Sequence, residues 1–121
     1  MPLFSVLIDT FYRPDFLKES VQSIFDQTLQ DWELIIIDNG STVESKAVIK
    51  KLLEQDSRIR LVEFKENQFS WDDPLMMLDT CLNAGLKEAR GEFIWYQSDD
   101  DFISPNYLES MVRLFTDNPK C

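Results

Sequence analysis

The chain contains no histidine, only two cysteines and only three glycines in 121 residues. Without histidine there is no Ser-His-Asp triad, no Cys-His pair and no histidine-ligated zinc. Cys81 and Cys121 are too few for a thiolate cluster. One falls in an apolar helical pattern and the other at the last position, so both read as free thiols in a reducing, cytoplasmic setting. With only Gly40, Gly85 and Gly91, neither G-x-G-x-x-G nor G-x-x-x-x-G-K-[ST] can be written, which removes the dinucleotide fingerprint and the P-loop. Positive charge is also scarce. Twelve basic residues against 22 acidic ones give a net charge of −10, the wrong sign for a nucleic-acid partner. Any bound metal must be held by oxygens, which points to magnesium, manganese or calcium. No apolar run approaches the ~18 residues of a membrane span, and the start, MPLFSVLIDT, has no basic lead-in.

What is present reads as one α/β domain. A content of 44% hydrophobic residues, with nine Phe and three Trp, is enough to build a core despite the charge. Residues 4–9 form an apolar, strand-like run. Pro14 opens a helix with Phe16, Leu17, Val21, Ile24, Phe25 and Thr28 on one face. Residues 33–38, apolar through their centre, predict a strand covered on both sides, as in a parallel sheet. Asn39-Gly40 makes a turn, and Ser41 or Thr42 caps a helix running to about Gln55. A third strand covers 59–64. Pro74 opens a third helix whose inward stripe reads Leu75, Leu78, Leu82, Leu86 and Ala89, ended by Gly91. A fourth strand covers 92–97, and Pro105 opens a helix from Asn106 to about Thr116, just before Pro119.

This β-α-β-α-β-α-β-α order predicts a Rossmann-like three-layer α/β/α fold. Its mainly parallel four-stranded sheet takes the order 3-2-1-4. Ligands of such sheets bind beyond the carboxyl ends of the strands. Four loops lie there: 9–13, 38–42, 65–73 and 98–104. The last carries Asp99-Asp100-Asp101. Adjacent carboxylates repel unless a cation neutralises them, so the triplet is a candidate magnesium or manganese site shared with substrate phosphates. Asp38 and Asn39 offer hydrogen-bonding groups for a base edge. Asp9, Thr10, Phe11, Tyr12 and Arg13 add rings for stacking, backbone N–H groups and a guanidinium for phosphate.

In order, the chain carries Ser5-Val6-Leu7-Ile8-Asp9-Thr10-Phe11, Ser23-Ile24-Phe25-Asp26-Gln27-Thr28, Trp32-Glu33-Leu34-Ile35-Ile36-Ile37-Asp38-Asn39-Gly40-Ser41-Thr42, Asn83-Ala84-Gly85, Gly91-Glu92-Phe93-Ile94 and Asp99-Asp100-Asp101 with Pro105. The set resembles the nucleotide-binding half of a family 2 glycosyltransferase of the GT-A fold. In that family the strings read like SVIIPTYNR, SVLNQT, FELIVVDDGS, NxG, GEYI and a DxD-type cluster. The resemblance implies a truncated GT-A fold that binds a nucleotide-diphosphate sugar, most simply a UDP-sugar. A divalent ion, Mn2+ or Mg2+, would assist, and the sugar would pass with inversion to a carbohydrate or glycolipid acceptor. Phe11 would lie against the base, and Asp38 and Asn39 would read its edge. Asp99 and Asp100 would hold the metal, with Asp101 contacting the sugar or steadying the cluster.

The resemblance also implies an acceptor half and a general base beyond residue 121, leaving the catalytic residue unassigned and these residues inactive alone. A longer chain could approach a membrane. Four departures stand out. Asn39 replaces a usual Asp, and Asp9 replaces a usual Pro. The stretch 67–73 lacks the basic residue some relatives use against the diphosphate, and the acidic cluster reads Ser-Asp-Asp-Asp. The alternative reading is a non-catalytic nucleotide-binding or self-associating module. Its fourth strand would be an unpaired edge that forms a homodimer.

Overall fold

The computed structural model describes residues 2–69, 72, 73 and 76–118. Pro74, Leu75, Pro119 and Cys121, assigned above to a helix start, a core position, a helix end and a terminal thiol, lie outside these. The elements run β1 (Phe4–Thr10), α1 (Pro14–Phe25), β2 (Trp32–Asn39), α2 (Val43–Gln55), β3 (Ile59–Phe64), α3 (Met76–Glu88), β4 (Phe93–Ser98) and α4 (Tyr107–Asp117). The four strands form one parallel sheet in the order β3-β2-β1-β4, as expected from the alternating elements. The order reverses at β1, which places a ligand crevice at its carboxyl end.

Side chains alternate across the sheet, so each strand feeds two cores. Val6, Ile8, Leu34 and Ile36 pack with Leu17, Val21 and Ile24 of α1, with Val48, Ile49 and Leu52 of α2, and with Leu108 of α4. Leu7, Ile35 and Ile37 face α3, where Cys81 is buried. Every residue of β2 is buried. Among the described residues, no helix is long and apolar enough to cross a membrane.

Two helices turn differently from their apolar stripes. On α1, Phe16 is 52% exposed and Thr28 beyond the helix is exposed, while Ser20 is buried beside Leu17, Val21 and Ile24. On α3, Leu78 and Leu86 are exposed, and the inward face is Cys81 and Gly85. Gly85 lies against Ile37 and Leu7, so α3 approaches the sheet through its small residues and its leucines flank the contact. The last helix starts at Tyr107, after a turn at Pro105-Asn106. Thr42 is the α2 cap, accepting from Ser45 N–H at 3.3 Å, whereas Ser41 Oγ donates to the Thr10 carbonyl at 3.2 Å.

A buried carboxylate ties the amino ends of the strands. Glu33 accepts from Ser5 Oγ at 2.6 Å, from Arg90 N–H at 2.6 Å and from Arg60 Nη2 at 2.7 Å. Ser5 Oγ in turn accepts from Gly91 N–H at 2.7 Å. A Cβ on Gly91 would sit 2.5 Å from Ser5 N, so this crossing admits only glycine. Burial pushes the Glu33 carboxyl up, but the bonds from Ser5, Arg90 and Arg60 outweigh it and hold it below the ordinary range. Its folded pKa is therefore below its unfolded one. The associated stability is present above the ordinary glutamate range and is lost as pH falls through the depressed value. Glu33→Ala, which leaves the Ser5 hydroxyl and the Arg90 N–H without their acceptor and Arg60 with Glu88 alone, is expected to cost about 3 kcal/mol by urea titration at pH 7. The loss should shrink toward acid pH. An unchanged midpoint would remove the clamp from the account.

Candidate functional site

A cavity of about 390 Å3 opens at the carboxyl ends of β1, β2 and β4, lined by Asp9, Thr10, Phe11, Tyr12, Arg13, Asn39, Asn67, Phe69 and Asp99. The strand-end loops named from the sequence therefore meet. Strand alternation sorts their side chains. Thr10 and Asp99 stand on the α1 side, where Thr10 Oγ1 donates to Asp99 Oδ2 at 3.0 Å. Asp9 continues the face of Leu7, and Asn39 that of Ile35 and Ile37, both toward α3.

The ionic end is built around Arg13. Pro14 at the first position of α1 leaves Arg13 as the cap residue, yet its side chain makes no capping bond. Its guanidinium instead reaches Asp99 Oδ1 at 2.6 Å and Asp100 Oδ2 at 3.1 Å. Asp99 is 2% exposed, so burial raises its pKa, opposed by Thr10 and Arg13. Asp100 is lowered, first by a hydrogen bond from Ser98 and then by Arg13. Burial lowers the Arg13 pKa, and the charges of Asp99 and Asp100 more than reverse it. Two carboxylates thus converge on one cation. Asp101 has an exposed side chain, and its N–H bonds to the Ser98 carbonyl at 3.1 Å.

Among the described residues no three acidic side chains gather into a ready-made ion cage. A hard oxygen pair that already shares one cation fits magnesium or manganese, which takes one or two carboxylates and completes its shell with substrate phosphate and water. Asp99 and Asp100 meet that description and Asp101 does not join them.

Asp38 and Asn39 separate. Asp38, 1% exposed, accepts from Ser41 N–H at 2.7 Å and from Lys46 Nζ at 2.9 Å on the α2 side, outside the cavity. It holds the turn. Asn39 lines the cavity, and its Oδ1 accepts from Gln68 N–H at 2.8 Å. Asn67 Nδ2 donates to the Asn39 carbonyl at 3.1 Å. These bonds tie the 65–69 stretch to the end of β2 and so add Asn67 and Phe69 to the cavity wall.

In the sequence Asn67 and Phe69 stand out only as part of the 65–73 loop, Gln27 only within the 23–28 string and Gln97 only as the end of a strand, yet the two glutamines anchor the acidic loop. Gln97 Nε2 donates to Ser20 Oγ at 2.6 Å and to the Asp101 carbonyl at 3.0 Å. Gln27 donates to the Ser104 carbonyl at 2.7 Å and accepts from Leu108 N–H at 3.1 Å. Buried amides at apolar positions were the available signal.

Near Asp9, Tyr96 donates its hydroxyl to Asp9 Oδ1 at 2.5 Å. Burial raises the Tyr96 pKa and the bond to Asp9 raises it further, so the phenol stays protonated. Burial, with Asp9 nearby, likewise lifts the Cys81 thiol to about 11, which leaves it an inert core group.

Comparison with known proteins agrees with this architecture. An uncharacterized glycosyltransferase of Haemophilus influenzae is 31% identical over 118 residues, covering 98% of this chain and 44% of the relative. Residues 1–349 of Staphylococcus aureus TarS in complex with UDP superpose with a TM-score of 0.80 at 20% identity, covering 98% of this chain and 33% of that one. The mannosyltransferase PcManGT from Pyrobaculum calidifontis, in complex with GDP-Man and Mn2+, gives a TM-score of 0.80 at 20% identity, covering 97% and 33%. The chain thus spans less than half the length of each of these proteins, within their GT-A-like Rossmann fold. The family model for glycosyl transferase family 2 matches residues 5–121, and the chain belongs to that family.

Proposed function

We propose that this chain binds a nucleoside-diphosphate sugar, a UDP-sugar in the first instance, for transfer to a hydroxyl of a carbohydrate or glycolipid acceptor with inversion. The observation that carries the reading is the convergence of Asp99 and Asp100 on a single cation at the edge of an aromatic-walled cavity. Family membership supports the reaction class, and the UDP, GDP-Man and Mn2+ named for the two solved structures support the kind of donor and ion.

In this reading Phe11 lies against the base and Asn39 meets its edge, while Asp38 keeps the turn in place. Asp99 and Asp100 hold Mn2+ or Mg2+, and Asp101 stands toward the sugar. Arg13 leaves the carboxylates to meet the diphosphate, supplying the positive charge that the 67–73 stretch lacks. A bound divalent ion would supply Lewis acidity to the departing diphosphate. We assign no general base within residues 1–121. Turnover would need an acceptor half such as the longer relatives have room for. The setting proposed is cytoplasmic, with membrane contact made through a longer chain.

Calorimetric titration of UDP and UDP-sugars with and without Mn2+ tests this. Binding in Mn2+ that weakens roughly tenfold or more in chelator is expected. No binding under any condition would overturn the reading. The proposal extends to a second copy pairing along β4, which is an edge of the sheet with Ile94 43% exposed. Light scattering at high concentration should show a dimer, and a monomer there would remove that part.

A further inference from the structure

Two side chains on the α3 side of the cavity are each held at one atom and left open at the other. Tyr96 pins Asp9 Oδ1, and Gln68 N–H pins Asn39 Oδ1. Among the described residues, Asp9 Oδ2 accepts no hydrogen bond and Asn39 Nδ2 donates none. What this wall presents is therefore one acceptor and one donor in fixed orientation. They are diagonal neighbours, since Asp9 pairs in register with Ile37, two residues before Asn39 on the same face.

Charge decides what each can meet. An anionic ligand must place its phosphates away from Asp9, whose carboxylate would repel them. The ionic end at Arg13, Asp99 and Asp100 takes that part, and the wall of Phe11, Phe69, Asn39 and Asp9 takes the neutral ring. A carboxylate there needs an N–H opposite it and the amide needs an acceptor beside that N–H, and uracil, the base of the donor proposed above, offers both in N3–H and its flanking carbonyls.

Resting on the donor-binding reading above, we propose that Asp9 and Asn39 together select the uracil edge. Asp9 Oδ2 accepts from N3–H, and Asn39 Nδ2 donates to a carbonyl beside it. Tyr96 and Gln68 act as positioning residues, fixing which atom each side chain offers. In this arrangement the carboxylate that reads the base is on β1, and the β2 residue beside it is a donor.

Uracil makes the test sharp, because its N3–H is flanked by a carbonyl on either side. Exchanging the two residues keeps the complement. In calorimetry with UDP and Mn2+, Asp9→Asn and Asn39→Asp are each expected to weaken binding roughly tenfold or more, and the double exchange to return within about threefold of wild type. UDP methylated at N3 should bind wild type roughly tenfold or more weaker than UDP. This arm needs no variant to fold, and the penalty should shrink in Asp9→Asn. Asp9→Asn binding UDP like wild type, a double exchange no better than its weaker single, or N3-methyl-UDP binding wild type like UDP would each overturn the inference while leaving the donor-binding reading intact. A wild-type chain that binds no nucleoside diphosphate overturns both.

Discussion

Asp99→Asn should abolish the Mn2+-dependent part of UDP binding, lowering affinity in Mn2+ by about a hundredfold. Substituting groups that only orient metal ligands already costs 10- to 100-fold, so losing a charged oxygen ligand belongs at the upper end. Asp99 is the buried member of the pair and has its own orienting bond, from Thr10. The amide is nearly isosteric and can keep that bond through its carbonyl oxygen, so packing changes little while the charge is lost. Asp100 is exposed and held only from its flanks, so Asp100→Asn should cost roughly tenfold. The decisive comparison is with chelator present. There Asp99→Asn and wild type should bind UDP equally, because the variant falls only to the metal-free value. A variant that keeps its Mn2+ increment would place the ion elsewhere. Thermal melting alongside guards against unfolding, since Arg13 loses its closer partner.

The strands were legible because a parallel sheet covered on both faces writes itself as uninterrupted apolar runs. Residues 33–38 read as a buried strand, and the structure extends it by one residue at each end. The helix faces were less so. On α3 a row of leucines competes with Cys81 and Gly85, and close approach to Ile37 favours the small residues. Hydrophobicity alone ranks the leucines first.

At the site, residue types were readable but directions were not. Asp38 and Asn39 are adjacent, so alternation must send them to opposite faces. Both faces of β2 are apolar, however, and nothing local says which one borders the cavity. The ion pairs of Arg13 with Asp99 and Asp100, and the bond from Gln68 to Asn39, join residues far apart in sequence. Periodicity carries no information on such contacts. The Asp38–Lys46 pair is also hidden, because Lys46 reads as an ordinary exposed helix lysine.

Gly40→Ala is expected to destabilise the chain by about 2–4 kcal/mol and to weaken nucleotide binding roughly tenfold or more. Two penalties combine. Gly40 has φ +64°, the one positive φ among the described residues, and a side chain there costs about 1–2 kcal/mol. A Cβ would also stand 2.3 Å from Asn67 N and 2.5 Å from Glu66 C, both backbone atoms that cannot rotate aside. The 66–67 backbone must shift, and with it the bonds from Asn67 and Gln68 to Asn39 that hold Phe69 in the cavity wall. Stability and binding therefore fall together, though Gly40 does not line the cavity. Gly40→Asn separates the two causes, because asparagine tolerates the left-handed region yet carries the same Cβ. Contact with the backbone predicts that asparagine binds UDP no better than alanine, while torsional strain alone predicts recovery. Gly85→Ala is the control, since its Cβ would meet the Cδ1 methyl of Ile37 at 2.7 Å, an atom that can move. It should lose some stability and keep its affinity for UDP. Equal loss of affinity in both variants would mean that general loosening, rather than the turn at Gly40, sets the cavity wall.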